Sequence, residues 1–269
     1  MKVVILAAGY GTRLTQDFKT KGHKEEKIAL ADLPKGLLPI AGKPLIEYWL
    51  QEITKLSLQD ETFIVTNETY YPKFEQWSFQ HSFPIQNIIK NGSFGNQYRK
   101  GSFFDFYDFL QIKKIDDAVL VIASDTLFYP TFSLSQSIDT FHKNTFSIIT
   151  CYEVPDHKVP SHGIVELDQN DMVTNFKEKP QPHATPSRFA CPTFYILTKE
   201  AIAKIKSTPP EEESFDSIGK AVSYIHQTMP VKAIKIEGRF DIGDLEGYRA
   251  ANDFFEKIKD QQNLKTSIF

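Results

Sequence analysis

The sequence predicts an α/β fold with a doubly wound, mostly parallel sheet, and three observations carry that prediction. Lys2–Leu6 is a short β-branched apolar run, the composition of a strand buried on both faces. Ala118–Ala123 (AVLVIA) is a second uninterrupted apolar run, and it ends in Ser124 and Asp125. Around these two, apolar runs alternate with segments of helical spacing, the rhythm of strands joined by crossover helices.

The elements follow in chain order. After the first strand comes a glycine-containing loop. Pro44 suits the first turn of a helix, and Leu45, Trp49, Ile53 and Leu56 then recur at helical spacing. Thr62–Thr66 (TFIVT) reads as a strand, Tyr70–Trp77 as a helix and Ile85–Ile89 as a strand. Ser102–Lys113 reads as an aromatic-rich helix. Ser133 and Gln136 have capping-box spacing ahead of another helix, and Thr145–Tyr152 is again a strand. The second half changes rhythm, to a small β-rich subregion. Gly163–Leu167 and Met172–Phe176 form a hairpin around Asn170 and Asp171, and Phe194–Leu197 is a short strand. Pro209–Glu213 reads as a solvated loop. Helices are expected near Phe215–Gln227 and Leu245–Lys259, with the strand Val231–Ile236 between them. The polar end, 261–269, is expected to fray.

Composition excludes several classes. The chain has 269 residues, 41% of them hydrophobic, enough for one large domain with a true core. A formal charge of -3 gives no basic field for nucleic acid. Cys151 and Cys191 form no CxxC pair, and the seven histidines lack zinc-ligand spacing, so neither a disulfide framework nor a zinc site is expected. The run Val3–Ala8 is too short for a signal-peptide core or a membrane span. The expectation is a cytoplasmic protein with no membrane partner; a homo-oligomer is left open.

The chemistry begins at Leu6–Leu14, LAAGYGTRL, directly after the first strand. Gly9 and Gly11 let backbone amides approach a ligand without a Cβ in the way, and such a turn makes a nest for phosphates. Arg13 adds a planar cation that grips phosphate oxygens. The segment is not a P-loop, which needs a Gly-Lys-Ser/Thr ending. Nor is it a dinucleotide fingerprint, because Leu14 stands where the third glycine belongs. By itself the two-glycine turn also fits an ordinary strand-to-helix connection.

Further motifs decide between these. Leu33–Tyr48 reads LPKGLLPIAGKPLIEY, and with it Lys35 joins Arg13 and the glycine turn. Here the chain resembles the sugar-nucleotide pyrophosphorylase (NTP_transferase) family, which carries LAAGxGTRL, then PK, then a G-x-P-L-I helix start. The resemblance continues in VIASDTLF (Val121–Phe128), HGIVELDQNDMVTNFKEKP (His162–Pro180) and GRFDIGDLEGYRAAND (Gly238–Asp253). It covers most of the chain in the family's order.

That resemblance implies a Rossmann-like, GT-A-like nucleotidyltransferase domain over 1–260, with a nucleotide-binding half (1–150) and an acceptor-binding half (151–260). It implies transfer of a nucleotide from a nucleoside triphosphate to a phosphorylated small molecule, a sugar 1-phosphate in most of the family, with release of pyrophosphate. Lys35 and Arg13 would bind the triphosphate and stabilise the leaving group, and Lys179 would hold the acceptor phosphate. Asp125 and Asp241 would bind Mg²⁺, a hard cation that prefers carboxylate oxygen. Gly163 would lie against the acceptor, and Glu178 would accept hydrogen bonds from its hydroxyls. Leu6, Ala8, Gly9, Gly11, Thr12, Ser124 and, in the segment Asn91–Phe103, Asn96, Gln97 and Gly101 would line the nucleotide subsite.

The sequence departs from the family pattern in two places. ACPTFYIL (Ala190–Leu197) has Pro192 and Thr193 where the family usually has glycine, which keeps another phosphorylated alcohol such as phosphocholine, with CMP transfer, among the alternatives. A non-catalytic paralogue that binds a nucleotide sugar is another, and intact Arg13, Lys35, Asp125, Lys179 and Asp241 speak against it. The charged stretch Thr15–Pro34 is longer than the family's usual connection. It reads as a solvated loop, with a lid over the triphosphate as the alternative.

Overall fold

The computed structural model describes residues 1–207 and 217–266. At its centre is a mixed ten-stranded sheet. Strand β1 (Lys2–Leu6) lies parallel to β4 (Thr62–Thr66) on one side and β6 (Val119–Ala123) on the other, and β5 (Ile88–Lys90) extends the parallel half beyond β4. On the far side of β6 come β12 (Phe194–Leu197) and then β8 (Ser147–Glu153), each antiparallel to its neighbour. The sheet continues through β11 (Phe189–Ala190), β9 (Gly163–Leu167) and β10 (Val173–Glu178), while β13 (Val231–Lys235) runs parallel to β8. Seen as directions, β1, β4, β5, β6, β8, β9 and β13 run one way, and β10, β11 and β12 run against them. The sheet is therefore mostly parallel, as the sequence predicts.

Alternating side chains divide the core between the two faces of this sheet. Val3 and Ile5 of β1, with Leu120 and Ile122 of β6, face Leu45, Trp49 and Ile53 of helix α3 (Leu45–Lys55). Val4, Val119 and Val121 face Phe106, Phe109 and Leu110 of α5 (Ser102–Ile112) and Ile202 and Ile205 of α7 (Lys199–Ser207). All of these strand residues are fully buried, so β1 after Lys2, and β6 throughout, carry apolar groups at successive positions. Helices α4 (Tyr71–His81) and α6 (Leu134–His142) complete the α3 face; Ser133 Oγ accepts from Gln136 N at 3.3 Å, as its spacing predicts.

Several expectations are revised. Ile85–Asn87 is a 3-10 turn, not part of a strand, because Asn87 N donates back to Pro84 O at 3.0 Å. The charged stretch Thr15–Pro34 is not a solvated loop. It begins inside α1 (Thr12–Lys21) and includes α2 (Lys24–Ala29); within it Phe18 and Ala31 are buried. Arg249 fastens it to the last helix, α9 (Leu245–Thr266), by two bonds to Glu26, Nε to Oε1 at 3.2 Å and a terminal nitrogen to Oε2 at 2.7 Å. That helix runs to Thr266, past the expected end at Lys259. Helix α8 (Gly219–Ile225) falls within the expected Phe215–Gln227, whose first residues lie outside the described ones, as does the expected loop Pro209–Glu213. Short pieces the sequence did not mark, β2 (Pro39–Ile40), β3 (Lys43–Pro44), β7 (Thr126–Phe128) and β14 (Arg239–Asp241), pair as small ribbons, β2 with β3 and β7 with β14.

Candidate active site

The strand order reverses at β1, with β4 on one side and β6 on the other, and a crevice at such a switch point is where open α/β sheets bind ligands. The loops leaving these strands carry the motifs. Leu6 O accepts from Ser124 N at 3.0 Å, which draws the glycine loop and the SDT segment together. Gly11 has φ +59°, a left-handed conformation suited to glycine, and caps α1, whose first residues are Thr12 and Arg13. Gly9 is exposed, with nothing within 4 Å of the place where a Cβ would stand. Ala8 O accepts from Asn67 Nδ2 at 2.9 Å.

Lys35 enters on a 3-10 turn (Lys35–Leu37) that presses on Ser124. A Cβ on Gly36 would stand 2.7 Å from Ile46 and 3.1 Å from Ser124, so only glycine lets the backbone pass there. The lysine stem then lies 3.4 Å from the Cβ position of Gly11, and Nζ reaches Asp125 Oδ2 at 2.9 Å. Burial would push the Asp125 carboxyl up, but the charge and hydrogen bond of Lys35, with help from Arg239, outweigh it and hold the group below the usual carboxylate range.

Asp241 arrives beside Asp125 through β-pairing. β14 runs antiparallel to β7, Asp241 faces Thr126, and Ile242 N donates to Asp125 O at 3.0 Å. Arg239, two residues earlier on β14, is a largely buried cation. It donates to Thr126 Oγ1 at 2.6 Å, Asp241 Oδ2 at 3.0 Å and Tyr152 Oη at 3.2 Å. Burial would lower its pKa, but Asp241 and the neighbouring hydroxyl keep it firmly protonated. Arg13 is exposed on α1. Its guanidinium and the Asp241 carboxyl both lie within 3.7 Å of the Cβ position of Gly243, so they share one side of the crevice without forming an ion pair.

Beyond the carboxylates is a cavity of about 190 Å³ lined by Asp125, His162, Gly163, Glu178, Arg239 and Asp241, with Pro192 in its wall. Glu178 Oε2 lies 3.3 Å from the Cβ position of Gly163 and 3.0 Å from that of Gly219, and Phe176 crowds both glycines from below. Those two glycines make room for the carboxylate. His162 Nδ1 donates to Lys158 O at 2.8 Å, and burial holds its pKa below the usual histidine value. Lys179 follows β10 in a left-handed conformation, φ +47°, with its N bonded to His162 O at 3.0 Å. Its Nζ lies 3.8 Å from Glu178 Oε1 and half of its side chain is exposed.

Lys35, Asp125 and Asp241 are thus brought together, with Gly11 and Ser124 beneath Lys35, Arg13 at the rim, and Gly163 and Glu178 in the adjoining cavity. Lys179 is next to Glu178 but does not line that cavity. Asn96 and Gln97 sit exposed on a 3-10 turn, Asn96–Tyr98, and no contact joins them to this cluster. Gly101, φ +101°, caps α5 and accepts from Asp105 N at 3.0 Å. Arg239, His162 and Gly219 were not singled out from the sequence. Arg239 and His162 lie inside quoted motifs, whereas Gly219 has no sequence signal near it.

Residues 29–258 match the family model described as nucleotidyl transferase. The chain belongs to that family. The match takes in Lys35, both aspartates, Glu178 and Lys179, while the glycine loop lies ahead of it. As a nucleotidyl transferase the chain is an enzyme of nucleotidyl transfer, and full-length relatives agree. A UTP–glucose-1-phosphate uridylyltransferase of Pseudomonas aeruginosa is 28% identical, across 94% of this chain and 95% of its own. The Bacillus subtilis protein of the same description is 24% identical, across 92% and 88%. Among solved structures, UDP-glucose pyrophosphorylase complexed with UDP-glucose matches with a TM-score of 0.67 at 23% identity, over 95% of this chain and 98% of that one. A Bacillus anthracis chain assigned as a glucose-1-phosphate thymidylyltransferase, solved with sucrose, gives 0.74 at 17% identity over 95% of each. At these identities the two structures speak to the fold of a nucleotidyl transferase. Among the described residues no helix is long and apolar enough to cross a membrane.

Proposed function

We propose that this nucleotidyl transferase joins UTP to glucose 1-phosphate, or to a closely related sugar 1-phosphate, and releases pyrophosphate. Formation of a nucleoside diphosphate sugar is the family reaction; the choice of uracil and glucose rests on the descriptions of the full-length relatives. One observation carries the reading. The Lys35–Asp125 pair and Asp241 stand at the mouth of a polar cavity whose size suits a single sugar ring.

In the reaction an acceptor phosphate oxygen bonds to the α-phosphorus as the bond from that phosphorus to the pyrophosphate oxygen breaks. Both reactants are anions, so cations must hold them in line. Lys35 and Arg13 are assigned to the triphosphate and the departing pyrophosphate. Lys179 is assigned to the acceptor phosphate, and Glu178 and Gly163 to the acceptor ring. Residues 1–150 then serve the nucleotide and 151–260 the acceptor, in one domain, with Asn96, Gln97 and Gly101 toward the base.

The donor set fits Mg²⁺. Asp125 and Asp241 offer hard oxygens side by side, and this ion usually completes its shell with water and substrate phosphates, not an all-protein cage. Among the described residues no group of three or more potential ligands forms such a cage. When bound there, the ion supplies charge neutralisation for the phosphate oxygens. Lys35 keeps the Asp125 carboxyl ionised, and Arg239 orients Asp241 through its bond to Oδ2. The same reading places the enzyme in the cytoplasm, where Cys151 and Cys191, free and buried, stay reduced.

The test is pyrophosphate release by the purified chain with Mg²⁺, each of four nucleoside triphosphates, and a panel of sugar 1-phosphates plus phosphocholine. UTP with glucose 1-phosphate is the expected best pair. CTP with phosphocholine as the best pair would transfer the reading to a cytidylyltransferase, consistent with Pro192 in the cavity wall. No turnover with any pair would overturn both.

A further inference from the structure

Asp105 is a buried carboxylate that the transfer chemistry does not use. It is 8% exposed, in the first turn of α5, behind the loop that follows β5. Its Oδ1 accepts from Asn91 Nδ2 at 2.9 Å. Asn91 Oδ1 accepts in turn from Ser93 N at 3.0 Å, with Ser93 Oγ 2.9 Å away. Ser93 O accepts from Tyr10 Oη at 2.8 Å, and Tyr10 O accepts from Tyr70 Oη at 2.9 Å. An unbroken chain of hydrogen bonds therefore runs from α5, through the loop after β5, into the glycine loop and on to the start of α4.

The chemistry of the chain gives it direction. A carboxylate only accepts, so it turns the NH₂ of Asn91 toward itself and the carbonyl oxygen toward the Ser93 amide. Ser93 is then fixed with its own carbonyl toward Tyr10, which lies between Gly9 and Gly11. Asn67 holds Ala8 O from the other side. Burying a carboxylate is costly unless its bonds compensate, and burial pushes this one up to about 6.

We infer that Asp105 is a positioning residue for the nucleotide subsite, acting through Asn91, Ser93 and Tyr10 to fix the glycine loop before the triphosphate arrives. The inference rests on the placement of the nucleotide at that loop, which saturable dependence of the wild type on nucleoside triphosphate tests separately.

The experiment compares Asp105→Ala, Asp105→Asn, Tyr10→Phe and the double variant Asp105→Ala/Tyr10→Phe by steady-state kinetics. Asp105→Ala is expected to raise KM for the nucleoside triphosphate about three- to tenfold, the effect of one lost hydrogen bond, with KM for the acceptor unchanged. Asp105→Asn keeps an accepting oxygen and is expected to stay within about twofold of wild type. The double variant is expected to be no worse than the poorer single one, because both cut the same chain. A purely structural role would lower the thermal midpoint and the active fraction without favouring one substrate. Equal rises in both KM values, or Asp105→Asn as impaired as Asp105→Ala, would overturn the inference. If Asp105→Ala does not fold, Tyr10→Phe carries the test, and an unchanged triphosphate KM there would overturn it.

Discussion

Lys35 Nζ and Asp125 Oδ2 lie 2.9 Å apart although 90 residues separate them in sequence. Gly36 makes the meeting possible, since it lets the lysine turn press against Ser124. The pair is part-buried, so each charge depends on the other more than in a surface ion pair.

Removing either partner should disable catalysis while leaving the fold. Lys35→Ala and Asp125→Asn are each expected to cut kcat by about 10²–10³, the loss typical of a charge-stabilising group aimed at the transition state. Steady-state assays paired with circular dichroism check this. Near wild-type kcat in a folded variant would remove that residue from the mechanism.

The acceptor cavity should be sensitive to one methyl group at Gly219. A Cβ there would stand 2.5 Å from Phe176 Cζ and 3.0 Å from Glu178 Oε2, so Phe176 or Glu178 must move. Gly219→Ala is expected to raise acceptor KM by about tenfold, with overpacking lowering stability by about 1–3 kcal/mol. The triphosphate KM should not change. Acceptor titrations at saturating triphosphate decide it, and an unaltered acceptor KM would clear Gly219 of the role.

The pH dependence of stability should carry the mark of Asp105. Burial raises its carboxyl from 3.8 to about 6, so between these values the folded chain binds more protons than the unfolded one. Stability therefore falls as pH rises through this window, by roughly 2–3 kcal/mol in all from this group, and levels off above it. Asp105→Asn removes that contribution. Its thermal midpoint should gain on the wild type as pH is raised from about 4 to 7. Parallel melting curves for the two proteins across that range would refute the assignment.

The Glu26–Arg249 pair should matter little to stability. Arg249 is 40% exposed, and solvent-screened pairs of this kind contribute about 0.2–1 kcal/mol. Arg249→Ala is expected to shift the thermal midpoint only slightly and to leave kcat unchanged, while α2 becomes easier to cleave by limited proteolysis. A large loss of stability would show that the pair anchors more than α2.

What could be read along the chain was whatever depends on neighbours in sequence. Val3, Val4 and Ile5 announce a doubly buried strand because every position is apolar. The glycine loop and Ser124–Asp125 follow such strands directly, so their place at the sheet's edge comes with the strand. The stretch 15–34 was misread because its lysines hide a helical face; Leu14 and Phe18, four residues apart and both buried, were the available signal.

Arg239, Gly219 and Asp105 belong to the other kind. Arg239 has a role only because β14 pairs with β7, which lies more than a hundred residues earlier, and Gly219 only because α8 packs on Phe176 of β10. Asp105 looks like any helix-start aspartate until Asn91 is placed against it. The amino-acid order by itself determined the alternating fold, the family and the motifs that carry Lys35, Asp125 and Asp241, since periodicity and motif spacing are local properties. Only the tertiary structure decided which of those groups meet, what is buried beside them and how much room the acceptor has, because contact and burial arise when strands distant in sequence are brought side by side.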